Sequence, residues 1–278
     1  GKEAWRTFMV PAPGEPGSET WPKNDAWKTG GGSTWITGHY DPKTKLVYWG
    51  VGNGGPWMGD QRPGDNLYVT SVVALDVNSG GIKGHYQYHQ NDSWDWDEVA
   101  APVLVDLPKG GSTVPGLLNV ARNGHMYFLE RTPAGPINYI NVKPYVYQNW
   151  VKSVDPKTGR FEVAEGKKPG TGVLGDFCPS FWGGKDWPPI AYSPETNYVY
   201  IPANENLCSK LQGGPVEYVP GAAYTRGTQG AILEIYMRDK EKLLGEVQAW
   251  DVKSGEKVWS KQFSGSANWG PLLTTGGG

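Results

Sequence analysis

The composition of this 278-residue chain is rich in aromatic and turn-forming residues. Its 40 Gly and 23 Pro are too many for a bundle of helices, and its 14 Trp and 15 Tyr exclude a disordered polymer. A formal net charge of −2 offers no basic surface to nucleic acid or anionic lipid, and no run of about 18 apolar residues predicts a membrane span. Together these features predict an all-β fold.

Short apolar segments bounded by Gly, Pro, Asn and Asp recur along the chain and predict β-strands. In chain order they cover residues 46–51, 69–75, 102–105, 125–129, 198–202 and 247–250. Residues 230–242 have some helical periodicity but read partly as a strand. The turn Asp-Pro-Lys-Thr occurs at 41–44 and at 155–158, with the variant Ser-Pro-Glu-Thr at 193–196. A turn repeated in this way indicates an array of similar units.

A longer repeat lies at 249–259, where the sequence reads Ala-Trp-Asp-Val-Lys-Ser-Gly-Glu-Lys-Val-Trp. Residues 74–80 match its first seven positions, with Gly84 at the Trp position, and residues 153–159 are a weaker copy. Residues 1–5 match its second half, Gly-x-x-x-Trp. The pattern predicts a strand ending in Asp, a tight turn, and a strand whose Trp packs against the neighbouring unit. It resembles the tryptophan-docking motif of quinoprotein alcohol dehydrogenases, whose four-stranded blades interlock in an eight-bladed β-propeller.

This resemblance predicts that residues 1–278 form a partial quinoprotein β-propeller domain, roughly half of the propeller, with blades missing at both ends. The chain begins with half of a docking motif, and residues 272–278 read as a strand and a turn. A propeller protects its strand edges by closure, which supports a larger parent fold. The alternative is a complete small β-domain whose first residues match the motif by chance.

Six short motifs extend the resemblance over almost the whole chain. They are Gly-Gly-Gly-Ser-Thr-Trp at 30–35, Gly-Val-Gly-Asn-Gly-Gly-Pro-Trp at 50–57, Arg-Pro-Gly-Asp-Asn at 62–66, Asn-Asp-Ser-Trp-Asp-Trp-Asp at 91–97, Arg-Asn-Gly at 122–124 and Cys-Pro-Ser at 178–180. Their order resembles that in methanol and ethanol dehydrogenases that use pyrroloquinoline quinone (PQQ). The resemblance implies a periplasmic enzyme that oxidises a small alcohol and passes electrons to a c-type cytochrome. The resemblance leaves it open whether the protein is a homodimer.

The sequence Trp94-Asp95-Trp96-Asp97 carries the strongest chemical signal. On a strand, side chains two positions apart share a face, so Asp95 and Asp97 would address one point while Trp94 and Trp96 point away. Two carboxylates in a Trp-rich place are tolerated around a cation, or else one stays protonated. The alternative is a solvent-facing strand with two unremarkable Asp residues. The resemblance makes Asp95 the catalytic base and Asp97 a metal ligand of the lanthanide-dependent branch.

The resemblance also assigns a metal-ligand role to the amide oxygen of Asn53, although an Asn in a turn commonly satisfies its own backbone. A trivalent ion favours more anionic oxygen ligands than Ca²⁺ requires. A lanthanide is therefore the first choice for the metal and Ca²⁺ the second. In the family a further Glu ligand lies upstream, so the chain is expected to hold only part of the metal site.

The resemblance places further residues around PQQ. Trp35 would form the floor on which the flat quinone stacks, with Ser33 and Thr34 as neighbouring polar contacts. Arg122 would lie near the quinone oxygens, where a guanidinium stabilises the negative charge that develops on reduction. The alternatives without a function are that Trp35 is a structural residue and that Arg122 only precedes an Asn-Gly hairpin at 123–124.

Three later residues complete the predicted cofactor contacts. Asp186 stands where related enzymes have Asn, which leaves its role open, and Trp187 follows it. Trp269 matches a contact at the cofactor edge.

The chain has two cysteines, Cys178 and Cys208. A pair of cysteines by itself fits either one disulfide bridge or two free thiols. The resemblance implies a disulfide, which supports an oxidising, periplasmic location.

Other functions have weaker support. The four His show no zinc-binding spacing, and the chain lacks both a dinucleotide fingerprint and a Gly-x-Ser-x-Gly elbow. Two alternatives stay open: a PQQ-dependent sugar or sorbosone dehydrogenase, and a noncatalytic propeller scaffold. The set Asn53, Asp95, Asp97 and Arg122 argues against the scaffold, which has no reason to gather carboxylates beside Arg and Asn.

Overall fold

A computed structural model describes residues 1–240, 242–263 and 265–276, which fold almost entirely as antiparallel β-sheet. Within them the helical segments are short 3-10 turns: Ser18–Thr20, Asp25–Thr29 and Gly59–Gln61. None of the helices in this described part is long and apolar enough to cross a membrane.

Three four-stranded sheets form the main body, each a meander whose neighbouring strands are antiparallel. The first blade contains β1 (His39–Asp41), β2 (Leu46–Gly50), β3 (Ser71–Asp76) and β4 (Ile82–Gln87). The second contains β5 (Val103–Lys109), β6 (Ser112–Val120), β7 (His125–Arg131) and β8 (Ile137–Pro144). The third contains β12 (Ala191–Ser193), β13 (Tyr198–Asn204), β16 (Gly245–Asp251) and β17 (Glu256–Phe263).

Two smaller sheets accompany the blades, one before the third blade in the sequence and one whose last two strands lie between β13 and β16. One is the hairpin of β9 (Val151–Val154) and β10 (Phe161–Val163). The other has the order β11-β14-β15, formed by β11 (Gly175–Phe177), β14 (Leu207–Gln212) and β15 (Ile232–Met237).

The six predicted strands correspond to β2, β3, β5, β7, β13 and β16, with ends that coincide or differ by up to four residues. The described residues of 230–242 contain β15 rather than a helix, and β15 pairs antiparallel with β14. The expected final strand is wrong for residues 272–275, which are irregular, and residues 277–278 of that segment lie outside the described part.

The docking repeat joins successive units. The Trp5 indole nitrogen donates a 3.0 Å hydrogen bond to the Val77 carbonyl, and the Thr7 hydroxyl donates to the Gly80 carbonyl at 2.6 Å. Both contacts lie on the turn between β3 and β4, as the motif predicts. Gly84, at the Trp position of the next copy, instead lies against the backbone of Gly135 in the β7–β8 turn. A side chain there would collide with that turn, so the first two blades meet backbone to backbone.

The core around which the blades pack is aromatic. Trp94 and Trp96 are fully buried and stack with ring centroids 4.8 Å apart and planes 7° apart. Trp150 and Phe177 pack against the pair from the two smaller sheets. This cluster forms the support behind the segment that carries Asp95 and Asp97.

Candidate active site

The segment 92–97 is an irregular loop between β4 and β5, not the strand that its Trp-Asp alternation predicts. Asp95 has a backbone φ of 65°, and the Asp97 N–H donates a 3.1 Å hydrogen bond to the Asp95 carbonyl, which closes a tight turn. The alternation arises because the two indoles stack on each other in the core. The acids project away from that stack, so the expected separation of Trp and Asp side chains is present without a strand.

Asn53 brings the two acids together. Its side-chain amide donates a 2.8 Å hydrogen bond to Asp95 Oδ1, and its backbone N–H donates one of 2.8 Å to Asp97 Oδ1. The preceding Gly52 allows this approach, because a Cβ there would collide with Asp97 Oδ1 and the Ser33 carbonyl. The predicted convergence of Asn53, Asp95 and Asp97 is therefore observed.

Arg122, just after β6, faces the same acids. Its Nη1 lies 3.6 Å from Asp97 Oδ2 and 3.4 Å from Asp186 Oδ1, and its Nη2 donates a 2.9 Å hydrogen bond to the Phe181 carbonyl. Its Nε is buried and has no hydrogen-bond partner. A buried donor without an acceptor is costly in a native fold, so this atom marks a place where a ligand oxygen fits.

The electrostatics of the cluster favour a bound cation. Burial raises the pKa of Asp95 well above its usual value, with Arg122 opposing the rise and Asp97 adding to it. Burial likewise raises the pKa of Asp97, against the Arg122 charge and the Asn53 N–H. Positive charge beside the pair would stabilise the ionised form of both carboxylates and so oppose both rises in pKa.

Arg122 itself lies among acids. Burial opposes its charged form, but the carboxylates of Asp186, Asp95, Asp97 and Glu98 outweigh this and raise the pKa of the guanidinium. Lys185 is fully buried beside them, and burial lowers its pKa to about 8. Four acidic and two basic side chains therefore share this part of the protein.

The residues expected to hold the quinone are arranged more loosely. Ser33 lies beside the acids, since its carbonyl accepts a 2.9 Å hydrogen bond from Gly52 N–H. Ser33, Thr34 and Trp35 are exposed, and 46% of the Trp35 surface is accessible. About half of the Trp35 side chain is therefore accessible to a ligand.

The third group of predicted residues lies on the loop after the disulfide. Asp186 is adjacent to Arg122, whereas Trp187 is exposed beyond it. Trp269, also partly exposed, contacts Trp182 of this loop with ring centroids 5.8 Å apart. Trp182 thus connects Trp269 to the loop of Asp186.

The predicted disulfide between Cys178 and Cys208 is present. It joins β14 to the loop that ends in Asp186, and the Phe181 N–H donates a 3.0 Å hydrogen bond to Ser209 Oγ of the same strand. The bridge therefore anchors the segment that supplies two groups to Arg122.

A buried polar network behind the acids was not predicted from the sequence. Its members are His89, Asp92, Glu98, Asn123 and Arg62, all of them 1% exposed or less. A signal was present: the network residues lie within or beside the motifs at 62–66, 91–97 and 122–124. The motifs alone do not show that these residues are buried, because burial of a charge depends on distant segments.

The residues of the cluster fit a hard metal ion together with an anionic quinone. Asn53, Asp95 and Asp97 offer amide and carboxylate oxygens, and the unpaired Arg122 Nε offers a donor to a ligand oxygen. No group of three His, Cys, Asp or Glu side chains suited to a metal occurs in the described part of the chain. The cluster itself offers a metal ion two carboxylates and one amide.

Interlocked four-stranded blades, with the functional groups on the loops between strands, define a β-propeller protein. Comparison with known families agrees: a family model described as the β-propeller domain of glucose, ethanol and alcohol dehydrogenases that use PQQ matches residues 1–163. This match covers more than half of the chain. The chain belongs to this PQQ β-propeller family.

Individual relatives match over nearly the whole chain. The lanthanide-dependent methanol dehydrogenase of Methylacidiphilum fumariolicum (strain SolV) is 36% identical over 270 residues, covering 95% of this chain and 42% of that protein. The quinoprotein alcohol dehydrogenase PedH of Pseudomonas putida is 37% identical over 271 residues, covering 95% and 43%. Among solved structures, a europium-containing methanol dehydrogenase has a TM-score of 0.84 at 36% identity, over 97% of this chain and 46% of that one. The chain thus spans less than half the length of these relatives.

Proposed function

We propose that this chain is part of a PQQ-dependent alcohol dehydrogenase, oxidising an alcohol to the aldehyde with a metal ion beside the quinone. The observation that carries the proposal is the convergence of Asn53, Asp95, Asp97 and Arg122 from three separate loops. Its relatives, with names that include alcohol and methanol dehydrogenases, support the same reaction class.

Asp95 is the proposed base. When bound, PQQ accepts the hydride and the metal supplies Lewis-acid chemistry. Asp95 would take the hydroxyl proton of the alcohol at its carboxylate, and Asn53 holds Oδ1 of that carboxylate in place. Desolvation raises the pKa of Asp95, which makes its carboxylate a stronger proton acceptor.

Arg122 would orient the quinone and stabilise negative charge on its oxygens. Its Nη2 is held by the Phe181 carbonyl, so the guanidinium plane is fixed and the free Nε points to a defined place. The proposed stacking surface for the quinone is Trp35. The proposed polar and edge contacts to the quinone are Asp186 and Trp187 on one loop, together with Trp269, Ser33 and Thr34.

For the metal we propose a lanthanide, with Ca²⁺ as second choice. Asp97 gives the site a second carboxylate next to Asp95, and high negative charge favours a trivalent ion. The named dependence of one relative on lanthanides and the europium in another support this choice.

The chain would act within a longer eight-bladed propeller, since it matches less than half of its relatives. By family resemblance the protein is periplasmic and passes electrons to a c-type cytochrome, and the disulfide suits an oxidising compartment. A sugar or sorbosone dehydrogenase is the second candidate, because the matching family model also includes glucose dehydrogenases.

The test uses the complete gene product that contains this chain, reconstituted with PQQ and either La³⁺ or Ca²⁺. We expect reduction of an artificial dye with short alcohols, faster with La³⁺, and loss of the La³⁺-dependent rate in Asp97→Ala. Asp106→Ala, an exposed carboxylate on β5, is the control and should keep the wild-type rate. Activity with glucose but no alcohol would favour the second candidate, and equal rates with both ions would contradict the lanthanide assignment.

A further inference from the structure

Glu98 connects the three segments that bring the candidate site together. It directly follows the loop of Asp95 and Asp97, and its backbone forms an isolated antiparallel bridge with Val51, two residues before Asn53. Its side chain reaches the third segment, where Oε2 accepts a 2.9 Å hydrogen bond from the Arg122 N–H.

Both carboxylate oxygens of Glu98 are used on that third segment. While Oε2 binds the Arg122 N–H, Oε1 accepts a 3.2 Å hydrogen bond from the Asn123 N–H. The side chain is only 1% exposed, so these contacts have no competition from water. Burial raises the pKa of Glu98 to about 8, and the two backbone N–H groups oppose that rise. Two adjacent backbone donors on one buried carboxyl group make a directional contact.

The other end of the loop is tied to the same residue, Asn123. Asn123 Oδ1 accepts from the His125 N–H at 3.0 Å, which turns its amide nitrogen towards His89 Nδ1, 3.3 Å away. His89 Nε2 then donates to Asp92 Oδ1 at 2.9 Å.

Asp92 completes the circuit. The Oδ1 that binds His89 also accepts from the Trp94 N–H at 3.2 Å and lies 3.4 Å from the Trp96 nitrogen. The loop bearing the acids is therefore held at its start through Asp92 and at its end through Glu98, and both anchors meet at Asn123.

We propose, on the basis of the function proposed above, that Glu98 is a positioning residue that sets the separation between the Arg122 guanidinium and the Asp95–Asp97 pair. Glutamine cannot replace it, because an amide has one acceptor oxygen and would turn an NH₂ group towards one of the two backbone N–H donors. The Arg122 segment would then move away from the acids. A shift of about 1 Å at such a site costs about 10²-fold in rate.

The test compares Glu98→Gln with Glu246→Gln in the complete, PQQ-loaded protein. Glu246 is a buried glutamate of β16 in the third blade, so its variant reports the general cost of neutralising a buried carboxylate. We expect a similar loss of Tm in both. Only Glu98→Gln should lower kcat, by more than about tenfold with KM within about twofold, and weaken La³⁺ binding to the protein about tenfold or more by calorimetry.

A crystal structure of Glu98→Gln supplies a readout independent of activity. The distance from Arg122 Nη1 to Asp97 Oδ2, 3.6 Å in the wild type, should grow by about 1 Å. If wild-type protein reduces no dye with any alcohol or metal, the proposed function fails, yet this distance still decides the role of Glu98. If Glu98→Gln does not fold, Glu98→Asp, which keeps the charge but shortens the reach, should show the same losses.

An unchanged distance, or kcat and La³⁺ affinity that match those of Glu246→Gln, would overturn the proposal and leave Glu98 a structural residue.

Discussion

The two sides of the candidate site are built in different ways. The acid side, with Asp95 and Asp97, stands on two fully buried indoles and a closed circuit of hydrogen bonds. The quinone side, with Ser33, Thr34 and Trp35, is exposed. It is linked to the acid side by the hydrogen bond that the Ser33 carbonyl accepts from the Gly52 N–H. Chemistry that moves a proton needs a fixed carboxylate, whereas a stacking surface needs an accessible face. The contrast shows which side has its geometry set by contacts within the chain.

The largest expected effect tests the acid side. Asp95→Asn in the complete protein should lower kcat by about 10³-fold or more, because the amide cannot accept the alcohol proton. Its Tm should stay equal or rise, because burial opposes the charged form of Asp95. Steady-state dye reduction and calorimetry measure the two quantities. A rate within tenfold of wild type would remove Asp95 from the role of base.

A pair of tryptophan variants tests the contrast itself. Trp96→Ala removes a fully buried side chain and should reduce the free energy of unfolding by about 3–5 kcal/mol. Trp35→Ala removes a side chain that is 46% exposed and should cost less than about 1 kcal/mol. Trp35→Ala should instead weaken PQQ binding. Denaturant unfolding and quinone titration provide the data, and equal stability losses would show that the two sides are built alike.

The smallest effect concerns pH and the support behind the acid side. Burial lowers the pKa of His125 to about 3, with the neighbouring His89 acting in the same direction. Below about pH 6.5 the unfolded chain binds a proton at this imidazole, whereas the folded chain does not. The free energy of unfolding therefore decreases as the pH is lowered, by about 2 kcal/mol at pH 5.

The variant His125→Gln should remove this part of the pH dependence, so its Tm should fall less than that of wild type between pH 7 and pH 5. Parallel Tm curves for the two proteins would contradict the assignment of the slope to His125. The analogous surface variant His39→Gln serves as the control.

Features fixed by neighbours in the sequence could be predicted. The repeated turns follow from one local interaction: Asp76, Asp155 and Asp251 each accept hydrogen bonds from the backbone N–H groups two and three residues later. Such turns need no tertiary partner, and β3 and β16, which end at two of these Asp residues, were also predicted.

The convergence of Asn53, Asp95, Asp97 and Arg122 was predicted through the family resemblance, not from local pattern. The loop at 92–97 was mistaken for a strand because alternate Trp and Asp imitate the period of a half-buried strand. The Asp95 turn depends on the core that holds both indoles. Glu98 and Arg62 escaped prediction for the same reason, since their burial is created by segments far away in the sequence.

The parallel indoles of Trp94 and Trp96 have an optical consequence. Two chromophores in face-to-face contact, 4.8 Å apart, share their electronic excitation, so near-ultraviolet circular dichroism should contain a coupled signal from this pair. Because both indoles belong to the acid loop, that signal would report the order of this loop and of its contact with Trp150, whose ring lies 5.3 and 5.2 Å from theirs.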